Sequence, residues 1–292
     1  MRNWLNFRGT MMAVTAIVAL AVLFLTVQAG AQNYMAPRTA DGHPDLNGIW
    51  QAVSAHHYDL EGHAADHAPS LETGALGAIP GGLGAVVGGE IPYLQSALAQ
   101  RQANRENQLL YDPAVRCYMP GIPRATYMPY PFQIVQTPEY ILFAYEFASA
   151  SRIVYMNRPD FEAPADAWMG HSRGRWNGET LTIDVDSTML QTWFDRSGNY
   201  HGAGMHVEER YTAASENHLL YEATITDPST FERPWTIRMP LYRRTDENMQ
   251  LLEFKCVEFV EELMYGHLRK GFDAETSDRP QAILEGLPPL PF

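Results

Sequence analysis

The chain has 292 residues, of which 46% are hydrophobic, 19% charged and 11% aromatic, with a formal net charge of −13. That is enough apolar material for one large or two small packed domains, and it excludes a disordered chain, a collagen-like repeat and a coiled coil. The acidic balance argues against a nucleic-acid partner, whose phosphates would be repelled.

The first segment reads as an address. Arg2 and Arg8 precede an apolar stretch from Met11 to Val27, followed by Ala29-Gly30-Ala31. A positive start, an apolar middle and a small-x-small site predict a signal peptide over residues 1–31, cleaved before Gln32. The alternative is an uncleaved anchor, for which the apolar run falls short of the roughly 20 residues that span a bilayer. Cleavage removes two arginines and takes the charge from −13 to −15. The expected location is the periplasm, with no stable membrane insertion. Export also gives meaning to Cys117 and Cys256, the only cysteines. An oxidising compartment favours pairing them, which would close a loop of about 140 residues worth about 4–5 kcal/mol in the chain-entropy model. Two buried thiols are the alternative, and the absence of a CxxC spacing excludes a zinc ribbon.

Residues 32–292 are read as a single β-rich domain. Residues 51–111 form an insertion: a histidine-rich patch, a glycine-rich stretch from Gly74 to Gly89, and a polar helix over Tyr93–Leu110. The glycine-rich stretch is read as a surface loop or a mobile lid. It lacks GxGxxG and a P-loop lysine, so it is no nucleotide cradle. Strands then succeed one another: Phe132–Gln136, Tyr140–Phe147, Arg152–Met156, Thr180–Asp186, Val207–Thr212, Leu219–Thr226, Thr236–Tyr242 and Gln250–Val257. The alternation of Leu181, Ile183 and Val185 with Thr and Asp marks a strand with one wet face. Short strands at regular spacing predict an antiparallel barrel, with a β-sandwich as the alternative. A peripheral tail is expected over residues 271–292.

Four segments carry a resemblance: Pro44–Trp50 (PDLNGIW), Gly121–Glu146 (GIPRATYMPYPFQIVQTPEYILFAYE), Gly174–Leu181 (GRWNGETL) and Tyr221–Trp235 (YEATITDPSTFERPW). They resemble a family of exported bacterial proteins without an established activity. The resemblance covers nearly all of the chain beyond the leader, implies export and a β-rich domain, and supplies no reaction. Gly48-Ile49-Trp50 is also similar to the Gly-x-Trp that begins lipocalin-type barrels, which tilts the expectation to a calycin-like barrel.

Candidate chemistry falls into four groups. Gly170-His171-Ser172-Arg173-Gly174 is a literal GxSxG, but a strand rather than a helix follows it, so the elbow of a serine esterase is incomplete. A glycine-rich bend before that strand is the plainer reading. His56, His57, His63 and His67, interleaved with acids, include a pair four residues apart, the metal-ligand spacing of a helix face. A solvated loop is the alternative. His201, His206 and Glu209 form the third group. A histidine beside a carboxylate at a barrel mouth suits a general base, and the resemblance carries His206 and Glu209 onto matching positions. In a strand, however, His206 shares a face with Glu208 and Arg210, while Glu209 shares the other with Val207 and Tyr211. Last, Arg124, Arg152 and Arg173 flank aromatic strands ending at Tyr145 and Glu146. With Trp176 they are candidates to bind a substrate or to brace the barrel. The leading expectation is a periplasmic barrel that binds a small apolar or aromatic molecule without an organic cofactor. Its catalytic form is an acid–base lyase, hydratase or isomerase with His206, His201, His171 and Glu209 in the site. A non-catalytic carrier or sensor is the competing reading, and an esterase using Ser172 the third.

Overall fold

Nine strands close into a single barrel in chain order: β1 (Gly48–Gln51), β2 (Phe132–Gln136), β3 (Tyr140–Tyr145), β4 (Ser151–Met156), β5 (His171–Asn177), β6 (Thr180–Asp186), β7 (His206–Ser215), β8 (His218–Thr226) and β9 (Trp235–Arg243). The computed structural model from which this is read describes residues 34–67 and 78–254. The chain divides into an N-terminal unit, Met1–Met35, and the barrel-bearing unit, Ala36–Phe292. Among the described residues no helix is long and apolar enough to cross a membrane. The expected signal peptide over residues 1–31, the whole of the expected tail over residues 271–292 and Cys256 lie outside the described residues.

Each strand is built on period two, because successive side chains leave the pleat on opposite faces. In β7, Val207, Glu209 and Tyr211 are buried while His206, Glu208 and Arg210 stay wet. In β8, Leu219, Tyr221, Ala223 and Ile225 point inward. Neighbouring strands are antiparallel with one exception. β4 pairs β5 in parallel, Val154 with Ser172 and Met156 with Gly174, so the barrel is mixed. β9 closes the ring on β1 through Trp50↔Arg243 and Gln51↔Tyr242.

Three sequence expectations need correction. Gly170–Gly174 is no bend: Gly170 makes the turn, and β5 begins at His171. Gly170 has φ +65°, and a Cβ there would lie 2.7 Å from a Val185 methyl and 2.9 Å from the Asp186 carbonyl. Its short, glycine-broken pattern hid the strand, which exists because β4 and β6 both pair with it. Of Gln250–Val257, expected as a strand, the described part, residues 250–254, has no sheet partner; β9 pairs with β1 instead. Of the glycine-rich stretch, the described residues 78–89 lie along the barrel, with Val86 bridged to Ile237 and Val87 N–H donating to the Thr236 carbonyl at 2.8 Å. The long helix shrinks to α1 (Leu98–Glu106) and α2 (Gln108–Tyr111).

Two segments close the ends of the barrel. At the end where β2 starts, residues 120–128 are buried throughout and include the one-turn helix α3 (Arg124–Tyr127). Its entry needs Gly121, at φ +73°, because a Cβ would fall 2.5 Å from Thr192. At the other end a strap, residues 36–47, folds back on itself through an Arg38↔Pro44 bridge. Leu46 is fully buried, and its carbonyl accepts the Trp50 indole N–H at 3.0 Å. His43 lies flat on Trp176, ring centroids 5.1 Å apart and 8° from parallel, and Arg38 reaches Glu179 at 2.8 Å.

Candidate functional site

Inside the barrel, beneath α3, sits a charged pair. Arg152 enters from β4 and Glu209 from β7, with Nη1 to Oε2 at 2.5 Å and both side chains almost wholly enclosed. The other carboxylate oxygen of Glu209 accepts the hydroxyls of Tyr221 at 2.7 Å and Tyr211 at 3.0 Å. Arg152 Nη2 donates to the Tyr211 oxygen at 3.3 Å, and Nη1 also to the Ser172 hydroxyl at 3.3 Å. Because Tyr211 gives its proton to Glu209, the Thr126 hydroxyl, 3.3 Å away on α3, is the donor in their contact. The guanidinium lies over the Phe143 ring at 4.6 Å. Phe132, Phe143 and Tyr145 pack around it with centroids 5.4–6.3 Å apart.

Burial fixes the protonation states. Burial and the Glu209 charge both push Tyr211 and Tyr221 far above the ordinary tyrosine range, so both hydroxyls stay donors. Burial works against the charge of Arg152, but Glu209 and the tyrosines outweigh it, and it stays a cation. Burial also pushes the Tyr145 hydroxyl up to about 12, against the pull of Arg152. Arg152 and Thr126 lie near the Tyr145 oxygen and draw its pKa down, but the Tyr145 proton and Arg152 Nε–H find no acceptor. An unpartnered buried donor costs about 1–3 kcal/mol, so two of them beside one ion pair call for an explanation.

A second cluster lies outside the strands. Arg124 holds Asp112 through two bonds of 2.7 and 2.8 Å, both side chains buried. Asp59 and Asp195 are buried close to one another. Asp59 accepts the Ser197 hydroxyl at 2.8 Å; Asp195 accepts Leu60 N–H at 3.0 Å and the Asn199 amide at 2.6 Å. Burial first, and then the Asp59 charge, push Asp195 up to about 7. Burial, and then nearby Arg196 and Arg124, lower His57 to about 4. These groups tie the insertion to the β6–β7 loop.

The structure therefore brings together Arg152, Glu209 and Tyr145 from the expected set, and not the histidines. His206 stands on the outer wall between Asp186, at 2.6 Å, and Asp184, at 3.5 Å. It and Glu209 point to opposite faces, so they form no dyad. His171 also faces outward, stacked on Tyr155 and bonded to the Phe161 carbonyl at 2.8 Å. His201 is buried against Thr192 at 2.6 Å, and burial lowers its pKa. Ser172 is inside the barrel, but it sits in mid-sheet, and the hydrogen bonds of His171, His201, His206 and His218 all go elsewhere. Arg173 bridges to Asp186 on the outer wall, and Trp176 belongs to the strap end. Glu146 accepts the Leu252 N–H. His63 and His67 do not share a helix face: residues 63 and 66 bridge to Gly82 and Ile79, and both ring nitrogens of His63 meet backbone carbonyls. Among the described residues no three His, Cys, Asp or Glu side chains converge to hold a metal ion.

Sequence reasoning missed Tyr221 and Thr126. Tyr221 was legible in principle, since Tyr211 shares the face of Glu209 and the hairpin register sets Tyr221 opposite Tyr211. Thr126 was not, because α3 enters the barrel from a loop without any period. No family model matches the chain, and no curated protein or solved structure shows significant similarity to it.

Proposed function

We propose that the chain is an exported small-molecule-binding barrel, a carrier or sensor, whose ligand contacts are Arg152 and Tyr145. The observation that carries this reading is the buried Arg152–Glu209 pair with two donors that find no acceptor, the Tyr145 proton and Arg152 Nε–H, inside an aromatic core. A buried ion pair is commonly no more stabilising than apolar residues of the same volume. A chain selected only to fill its barrel gains little from this cluster and gives up the hydrogen bonds of two donors. A ligand acceptor would satisfy both. The aromatic side chains around the pair suit a small apolar or aromatic molecule. No observation favours turnover with His206 as base, since its ring is on the outer wall.

The reading includes export to the periplasm, leader cleavage before Gln32 and a Cys117–Cys256 bridge. Mass analysis of unreduced and reduced digests checks the cleavage and the bridge together. Ligand binding is tested by native mass spectrometry of protein taken from the periplasm. A small molecule should leave on denaturation and be recovered unaltered after prolonged incubation. An altered molecule would convert the reading to an enzyme. No bound molecule, together with no thermal stabilisation by a library of aromatic fragments, would overturn it.

A further inference from the structure

We infer that the outer face of β2, β3 and β4 is the interface of a reversible dimer, in which a second copy of the chain packs its own β2–β4 face against this one. Lying outside the barrel, this face is independent of the ligand reading.

The barrel wall has two unlike halves. From β5 to β9 the outward side chains include a network of charges paired within the sheet: Arg173 with Asp186, Arg175 with Asp184 and Glu208, and Arg238 with Glu222. No outward position of β2, β3 or β4 holds a charged residue. Across these strands the register sets Val135 beside Leu142 and Leu142 beside Ile153, one apolar row running from strand to strand. The three are 39%, 37% and 46% exposed, although each lies in mid-sheet. Tyr140 and Tyr155 form the next row, their rings edge-on at 5.7 Å, and Phe161 packs on Tyr155 at 4.6 Å. Single exposed apolar residues are ordinary, but a contiguous row bordered by aromatic rings marks an interaction surface.

Charge and symmetry select the occupant. The chain carries −13 overall, so two copies repel one another wherever acidic surfaces meet. Across the β2–β4 face they approach without that repulsion. The face is also self-complementary about a two-fold axis running along β3. That operation lays β2 of one copy over β4 of the other, so Val135 meets Ile153 of the second copy and Leu142 meets its own counterpart. Glu139 lies in the β2–β3 turn and Arg158 just beyond β4, at the same end of the face and on either side of β3. Arg158 leans over the Tyr140 and Phe161 rings at 5.9 and 6.0 Å. The same axis sets each Glu139 opposite an Arg158. An isologous contact requires this self-match, and two sheets aligned face to face pack well.

Size sets the strength. Three short strands present a face of about 18 Å by about 14 Å, well short of the roughly 800 Å² that each partner of a stable interface buries. The dimer is therefore weak and concentration-dependent. Sedimentation velocity of the purified protein, from micromolar to millimolar concentration, should show monomer giving way to dimer. Leu142→Glu, at an outward position, should keep the wild-type thermal midpoint and stay monomeric throughout. Glu139→Lys and Arg158→Glu should each weaken dimerisation about tenfold, and the double variant should restore it. A wild type that stays monomeric overturns the dimer, and a dimer that survives Leu142→Glu overturns this face as its interface. A double variant as weak as the single ones overturns the two-fold packing. A monomer that binds phosphatidylcholine vesicles through Leu142 would give the face to lipid. A monomer in which Leu142→Glu alters hydrogen exchange over residues 255–292 would give it to the chain's own C-terminal segment. Either overturns the second copy.

Discussion

Glu209 obtains its partners from three strands: Arg152 on β4, Tyr211 on its own β7 and Tyr221 on β8. Removing one member of such a pair leaves a buried charge stranded, which typically costs about 3–5 kcal/mol, whereas replacing both by apolar residues is often neutral. Glu209→Leu and Arg152→Met should each lower stability by that amount. The double variant Arg152→Met/Glu209→Leu should lose much less than the sum. Urea unfolding of the four proteins measures it, and additive losses would show that the two side chains do not act as a pair. Asp195 tests a different balance. Its folded pKa of about 7 lies above the ordinary 3.8, so the folded state holds a proton that the unfolded chain releases. The stability it contributes is complete below about 4 and is lost as pH rises through about 7. His57 has the opposite sign, its contribution being present above 6.5 and lost as pH falls through about 4. His56 and His201, also lowered by burial, share the sign of His57, so Asp195 is isolated by comparison. The wild-type urea midpoint should fall relative to that of Asp195→Asn as pH rises from about 4 to about 7, and the difference should level off above.

At the level of elements, what the sequence disclosed followed its periodicity. β7 and β8 were legible because period two runs unbroken through them and one face is buried. The same alternation set Glu209 and His206 on opposite walls, so the interior position of Glu209 was readable once inside and outside were assigned. β5 was not legible, since Gly174 takes an inward position where a Cβ would meet Met156 Sδ at 2.5 Å. A small residue forced by packing reads as a turn when it is seen in sequence alone. Neither the strap nor α3 has any period, and both are placed by side chains reaching across the fold. Gln136, which accepts the Leu46 N–H and donates to the Pro44 carbonyl at 3.1 Å, anchors the strap. The outer part of the strap rests on the His43–Trp176 stack and on Arg38–Glu179, an exposed ion pair of the kind that contributes little. His43→Ala should therefore loosen the strap without disturbing the sheet. Hydrogen exchange at the Asp45 and Leu46 amides should accelerate while the β7–β8 amides keep their protection. Unchanged exchange at those two amides would mean that backbone and Gln136 contacts alone hold the strap.

Over the whole molecule, the ring of strands is only as continuous as its thinnest seams. β7 and β8 share a long ladder broken by a single irregularity near the turn, while β4 and β5 pair over three residues and β1 and β9 over two. A two-residue ladder gives little backbone cohesion, and side chains of β9 and the residue after it reinforce the closure. Arg243 stacks over the Trp50 ring at 4.2 Å, donates to the Asn47 carbonyl at 2.7 Å and to the Glu216 carbonyl at 3.0 Å. Arg244 adds its backbone N–H to the Ile49 carbonyl at 2.8 Å and its guanidinium to Gln51 at 2.7 Å. One arginine thus joins the first strand, the last strand and the β7–β8 turn. Gly48 belongs to the same joint, because a Cβ there would collide with the Arg243 guanidinium. Arg243→Ala removes a cation–π contact and two hydrogen bonds to carbonyls, a loss of about 1–3 kcal/mol. The loss should be unevenly distributed. Exchange at the β1 amides should approach that of a local opening, while β6–β8 keep the protection set by global unfolding. Arg243→Lys, which keeps the charge but not the planar fork, should recover only part of it. If β1 and β7 lose protection together in Arg243→Ala, the barrel opens as one cooperative unit, and the β1–β9 seam is not where it first gives way.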